Sequence, residues 1–258
     1  MNKLLFIPGL LFLLVILFRV ILPLLKQPGW KRLLNTARYE RQRKYEEKSD
    51  RLLLKALEKY PLQPEVYLEY YLNHSDSTDL QSRFSILKTG WEKTGSVPLG
   101  FFLGAALLEE GDLEEAESFL LREDIADYQR TRRIGLTVQL WMEKGDYLRA
   151  EETYFQVYDP SGLPEEEALA GITAQDLLPL VLIRKAAGKD WQGLLNRIPR
   201  SSIHTDMSWQ DCLAGMKDQR SALKPARTGI HGDAGRFNRR RKAYYDERIA
   251  LIEAHLSA

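Results

Sequence analysis

Two kinds of apolar pattern divide the chain. From Leu4 to Leu25 the residues read LLFIPGLLFLLVILFRVILPLL, a nearly continuous run broken by the single charge of Arg19. Such a run is long enough to cross roughly 30 Å of hydrocarbon as a helix of about 20 residues. Past Trp30, apolar residues return at three- and four-residue spacings, the period of helices with one buried face, and strand-like alternation is almost absent. Residues 34–60 form a charged amphipathic stretch whose apolar face is Leu52, Leu53, Leu54, Ala56 and Leu57, stopped by Tyr60-Pro61. Pro64 is placed to open a helix over 65–73, and further helices are expected over 79–93, 99–110, 113–121, 130–144 and 147–157. The regularity breaks at Asp159-Pro160-Ser161-Gly162-Leu163-Pro164. Helices resume over 165–171, 176–187 and 194–198, Ser208 is placed to cap one running to Met216, and a last helix covers 239–255. Residues 224–238, rich in Gly, Pro and Arg, read as a flexible segment.

The turns between these helices repeat. Gly111-Asp112-Leu113-Glu114-Glu115-Ala116 recurs thirty-four residues later as Gly145-Asp146-Tyr147-Leu148-Arg149-Ala150. A fixed period of this size marks stacked helical hairpins rather than one continuous core. Gly188-Lys189-Asp190-Trp191 reads as a worn copy of the same turn.

Neighbours of the turns fall at regular offsets. Gly104, preceded by Leu103, lies seven residues before Gly111; Ala116 is a small residue after it, followed by Leu120. Around Gly145 the corresponding residues are Ile134, Trp141, Ala150 and Tyr154, with Thr137-Val138 in place of Leu-Gly. These hairpins resemble tetratricopeptide repeats. In the same register an earlier copy begins near Gln63, with Val66 and Ser82 at its large and small positions, and residues 56–61 look like the close of a still earlier one. The resemblance covers about residues 43–158. It implies an all-α hairpin solenoid in which the first helices line a concave groove. Carried onto this sequence, the register puts Tyr67, Tyr71 and His74 in that groove, then Phe101, Ala105 and Leu108, then Arg132, Gln139 and Met142. For Phe101 and Leu108, a place in the core stays equally open. Such a trough suits an extended peptide or an amphipathic helix of a partner protein.

Charge adds an orientation. The 258 residues carry a net charge of +1, which points to no partner class. Locally the contrast is strong: Lys3 alone precedes the apolar run, whereas Lys26, Lys31, Arg32, Arg38, Arg41, Arg43 and Lys44 follow it. Positive residues stay on the cytoplasmic side, so the bulk of the chain is expected there. No small-x-small site ends the run, which favours an uncleaved anchor over a signal peptide. The expected layout is a span at 4–25, a basic juxtamembrane segment and first helix at 26–60, and tetratricopeptide-like repeats at 61–158. Degenerate helical repeats follow at 159–223, then a basic segment and C-terminal helix at 224–258. Within the last segment Arg236, Arg239, Arg240, Arg241 and Lys242, beside Phe237, Tyr244 and Tyr245, form a basic run. A solvated tail and contact with anionic lipid or an acidic protein are both open for it, and nucleic acid is the least favoured partner.

Catalytic signatures do not appear. One cysteine, Cys212, leaves no disulfide framework and no CxxC metal or redox pair. The four histidines lack metal-ligand spacing, and GxSxG, GxxxxGK[ST] and GxGxxG are absent. No metal, cofactor or catalytic set is therefore expected. The expectation is a membrane-anchored scaffold or adaptor of a bacterial inner membrane, similar in layout to bacterial tetratricopeptide regulators of envelope assembly. Two other classes stay open: an extracytoplasmic envelope-assembly or chaperone factor, and an enzyme with a site in residues 159–258.

Overall fold

One hydrogen-bond rule governs the turns. Gly111 has φ +88°, a left-handed conformation that costs an L side chain strain. There the Asp112 N–H donates to the Leu107 carbonyl five residues back at 3.0 Å, ending one helix. The Asp112 carboxylate then accepts the Glu115 N–H at 3.2 Å, starting the next. Gly145 (φ +76°) repeats both bonds, Asp146 N–H to Trp141 O at 2.9 Å and Arg149 N–H to Asp146 Oδ1 at 3.1 Å. Gly188 (φ +67°) keeps the first, Lys189 N–H to Arg184 O at 2.9 Å, and Asp190 caps one residue later on Gly193.

This computed structural model describes residues 28–74, 80–158, 162–170, 172–198, 208–223 and 233–258, without the side chains of 80–83 and 233–239. Among the described residues the chain is all-helical, with thirteen α-helices and no strand. They are α1 (Gly29–Gln42), α2 (Glu46–Lys59), α3 (Pro64–Asn73), α4 (Leu80–Thr94), α5 (Val97–Glu110), α6 (Leu113–Leu120) and α7 (Arg130–Glu143). After these come α8 (Tyr147–Tyr158), α9 (Glu165–Ala168), α10 (Ala174–Ala186), α11 (Gln192–Leu195), α12 (Trp209–Ser221) and α13 (Asp233–Ser257).

Two expectations are corrected. The stretch 34–60 is a helix pair, α1 and α2, because Lys44 takes φ +64° and the Tyr45 N–H reaches back to Glu40 O at 3.0 Å. This is the glycine turn built without glycine. Residues 233–238, expected to be flexible, are the first turns of α13, while 224–232 lie outside the described residues. The apolar run 4–25 also lies outside them, and no helix among the described residues is long and apolar enough to cross a membrane.

The chain divides into two compact units. The first holds residues up to 75 together with 86–95. Its core is Leu34 and Ala37 of α1, Leu53 and Ala56 of α2, and Val66 of α3. Gly90 of α4 lies flush on the Tyr67 ring; a β-carbon there would fall 2.5 Å from the ring. His74 closes α3 onto α2, its Nδ1 bonded with Tyr70 O at 2.8 Å and its Nε2 with Asp50 at 3.1 Å.

The second unit holds residues 76–85 and 96–258. Gly104 brings α5 against α6, where a β-carbon would fall 2.9 Å from Phe119 Cβ. From α7 onward one core runs to the last helix: Ile134, Trp141, Tyr154, Leu177, Val181, Trp209 and Ile252 all belong to it. Trp209, wholly buried, donates its indole N–H to Leu195 O at 2.8 Å, and Ser208 caps α12 on the Asp211 N–H as its sequence suggests. Along their length α12 and α13 are tied by Lys217–Glu253 at 2.7 Å and by Arg220–Asp246.

Candidate functional site

The face of α13 builds the site. Arg240, Tyr244 and Arg248 are spaced four residues apart, so they stack on one side of the helix. That side borders a cleft of about 540 Å³ in the second unit. The opposite walls come from Leu108 and Glu109 of α5, Leu136, Gln139, Met142 and Glu143 of α7, Tyr147 of α8, and Leu182 and Ala186 of α10. Three of the nine groove residues expected from sequence, Leu108, Gln139 and Met142, therefore do meet. They meet residues of the basic run, Arg240 and Arg241, which the sequence reading kept separate.

Arg240 seats the helix. Its guanidinium lies on Gly111, where a β-carbon would fall 1.8 Å from Nη1, and pairs with Glu143 of α7. Gly145, at the corresponding place in the α7–α8 turn, has nothing within 4 Å. Thus one glycine of the repeated pair also admits a side chain from α13. Arg241 is half-buried on the cleft wall and Lys242 is exposed. The side chains of Arg236 and Arg239 lie outside the described ones.

Arg248 is the buried charge of the site, its side chain 9% exposed. Nη1 donates to the Tyr244 carbonyl at 3.0 Å, and the Tyr244 ring covers one face of the guanidinium at 3.3 Å. The nearest carboxylate, Glu247, is 4.0 Å away and 63% exposed. Burial pulls the Arg248 pKa below the ordinary guanidinium value, partly offset by Tyr244, Glu247 and Glu143.

The other expected groove residues go elsewhere. Tyr67, Tyr71, Phe101 and Ala105 are buried, so they present no free face to a partner. Phe101 packs edge-on to Tyr128 at 5.4 Å and lies under the exposed Arg132, whose guanidinium is 5.6 Å from its ring. Leu108 is buried too, as the floor of the cleft. His74 is half-buried in the first unit, against Asp50 and stacked on Tyr70 at 4.3 Å. Side chains whose first-helix position pointed to a trough are thus largely the contact layer between consecutive helices.

A second polar cluster joins α8 to α10. Tyr158 donates to Asp176 Oδ1 at 3.0 Å, Thr173 to Oδ2 at 2.7 Å, and Tyr154 to the Asp176 carbonyl at 3.1 Å. Burial, then the Asp176 charge, pushes the Tyr158 hydroxyl well above the usual phenol range, and the same two causes raise the Cys212 thiol to about 11. A thiol so raised is a poor nucleophile at neutral pH. Beside it, Glu151 accepts from Arg184 at 2.8 Å and from Lys189, while Arg184 also grips Glu165 at 2.6 Å. These groups satisfy one another.

Fold and cleft define a class: an all-helical protein of helix hairpins in which α13 forms one wall of a cleft of about 540 Å³. Compared with known proteins, the chain matches no family model and no curated protein.

Proposed function

We propose that the chain is a membrane-anchored adaptor. In this reading residues 4–25 span the membrane, the hairpins α5–α8 belong to a tetratricopeptide-like solenoid, and the cleft beside α13 holds a segment of a partner protein. The observation that carries it is the cleft itself: the half-buried Leu136 and Met142 and the exposed Ala186 over a buried floor of Leu108 and Leu182, rimmed by charges from three helices. An apolar trough with a few placed polar groups is the common form of a peptide-binding surface. The basic cluster at Lys26–Lys44 supports placing the helical part on the cytoplasmic side.

Position-specific crosslinking tests the adaptor role. A photo-crosslinking residue at Gln139 of the full chain, in native membranes, is expected to give a discrete adduct that Leu136→Arg abolishes. An adduct pattern indifferent to Leu136→Arg, or identical from an exposed position such as Leu163, removes the cleft as the binding surface. Sidedness has its own experiment, a C-terminal fusion to green fluorescent protein or alkaline phosphatase. Fluorescence is expected; phosphatase activity would instead establish the extracytoplasmic alternative.

A further inference from the structure

Arg248 carries a charge that the protein answers only in part, through Tyr244 and Glu247 in contact and Glu143 from further off. A guanidinium offers five N–H donors. Among the described residues Arg248 uses one hydrogen bond, to a backbone carbonyl, and its only ion pair is the 4.0 Å approach of an exposed Glu247. The other cations of the cleft differ. Arg240 is already engaged by Glu143, so it contributes a closed pair to the rim. A buried charge gains most from a partner that brings an opposite charge and hydrogen-bond acceptors together. The surroundings decide what else that partner must carry: Leu136, Met142 and Ala186 favour aliphatic groups, and the Tyr244 ring blocks one guanidinium face, leaving edge-on approach.

We propose that the cleft recognises a carboxylate set among aliphatic side chains, an Asp or Glu within an apolar stretch of a partner protein, and that Arg248 is the residue that selects it. This rests on the reading of the cleft as a protein-binding surface and names the chemistry of the bound segment. The carboxylate approaches the guanidinium edge while flanking leucine-like side chains lie on the α7 and α10 walls. Specificity then follows from the mismatch penalty. A segment with an amide at that position leaves the buried charge unanswered, and one with a cation adds repulsion.

The test uses the full chain in a neutral detergent over three immobilised peptides, Gly-Leu-Leu-Glu-Leu-Leu-Gly and its Gln and Lys counterparts, all with blocked ends. The wild type is expected to hold the Glu peptide roughly tenfold or more tighter than the Gln peptide, the worth of one charge-assisted hydrogen-bond pair. The Lys peptide is expected to bind weakest. Arg248→Met keeps the side-chain volume and should bring the Glu/Gln ratio to within about twofold with the thermal midpoint unchanged or higher, since removing a buried charge is often neutral or stabilising. Arg248→Lys, keeping the charge without the planar fork, should retain part of the preference. Equal binding of Glu and Gln peptides by the wild type overturns the proposal, as does a preference that survives Arg248→Met or no binding to any of the three. Equal binding that Leu136→Arg abolishes would overturn the carboxylate preference while leaving the adaptor reading standing. Absence of any discrete Gln139 adduct from the otherwise unaltered chain in membranes would fail the adaptor reading on its own.

Discussion

Two helical glycines make opposite demands on the same substitution. A methyl at Gly104 would meet Phe119 Cβ at 2.9 Å and Leu120 at 3.1 Å, whereas at Gly135 it would meet nothing within 4 Å. Gly104→Ala should therefore force α5 and α6 apart and lose about 1–3 kcal/mol of stability. Gly135→Ala, in the exposed interior of α7, should gain about 0.5–1 kcal/mol through helix propensity. Denaturant unfolding of the two variants reads the signs directly, and a shared sign would contradict the packing. Lys44 offers a third test. It holds a left-handed backbone that strains a side chain, and Lys44→Gly should stabilise by about 1 kcal/mol. At this scale the sequence was only partly legible. Gly104, Ala116 and Ala150 stand at their packing positions because small size is a visible signal, and both alanines are fully buried. Lys44 gives no such signal, because nothing in its chemistry announces a positive φ. Arg248 stayed hidden for a different reason, since only the fold determines that this one arginine of a basic helix turns inward.

Helices α8 and α10 are clasped by charge as well as by apolar contact. Burial works against the Glu151 carboxylate, yet hydrogen bonds from Lys189 and Arg184 hold its pKa below the ordinary value of 4.5. A carboxylate whose folded pKa is lowered contributes stability that is present above its unfolded pKa and is lost as pH falls through the folded one. The thermal midpoint should accordingly fall as pH drops below the ordinary carboxyl value of 4.5 and through the lower folded one, and it should fall less steeply in Glu151→Gln, which has no proton to take up there. Parallel slopes in the two proteins would separate the clasp from acid sensitivity. Elements themselves were the most legible level. Amphipathic period and the Gly-Asp turns placed α5 to α8 within two residues of their observed ends. The third turn at Gly188 follows Gly145 by 43 residues instead of 34, so its period is lost while its hydrogen bond survives. Turn chemistry outlasted spacing. The wall formed by α13 was beyond reach, because its pairing with α7 joins Arg240 to Glu143, 97 residues away, and leaves no local trace.

The second unit depends on its last helix. Leu251 and Ile252 of α13 share a core with Ile134 and Trp141 of α7, and Ile252 is wholly buried. Ile252→Ala should cost about 2–5 kcal/mol. A change below about 0.5 kcal/mol in urea unfolding would mean that α13 rests on the unit without completing it. The same arrangement bears on synthesis. At roughly 5–20 residues per second, a ribosome that has finished α7 needs on the order of 5–20 s to supply α13. During that interval the core that holds Ile134 and Trp141 lacks the Leu251 and Ile252 side chains that complete it. Message truncation or stalling before Tyr244 would therefore leave that core open, so that the helix forming the cleft wall also closes the interior of its unit.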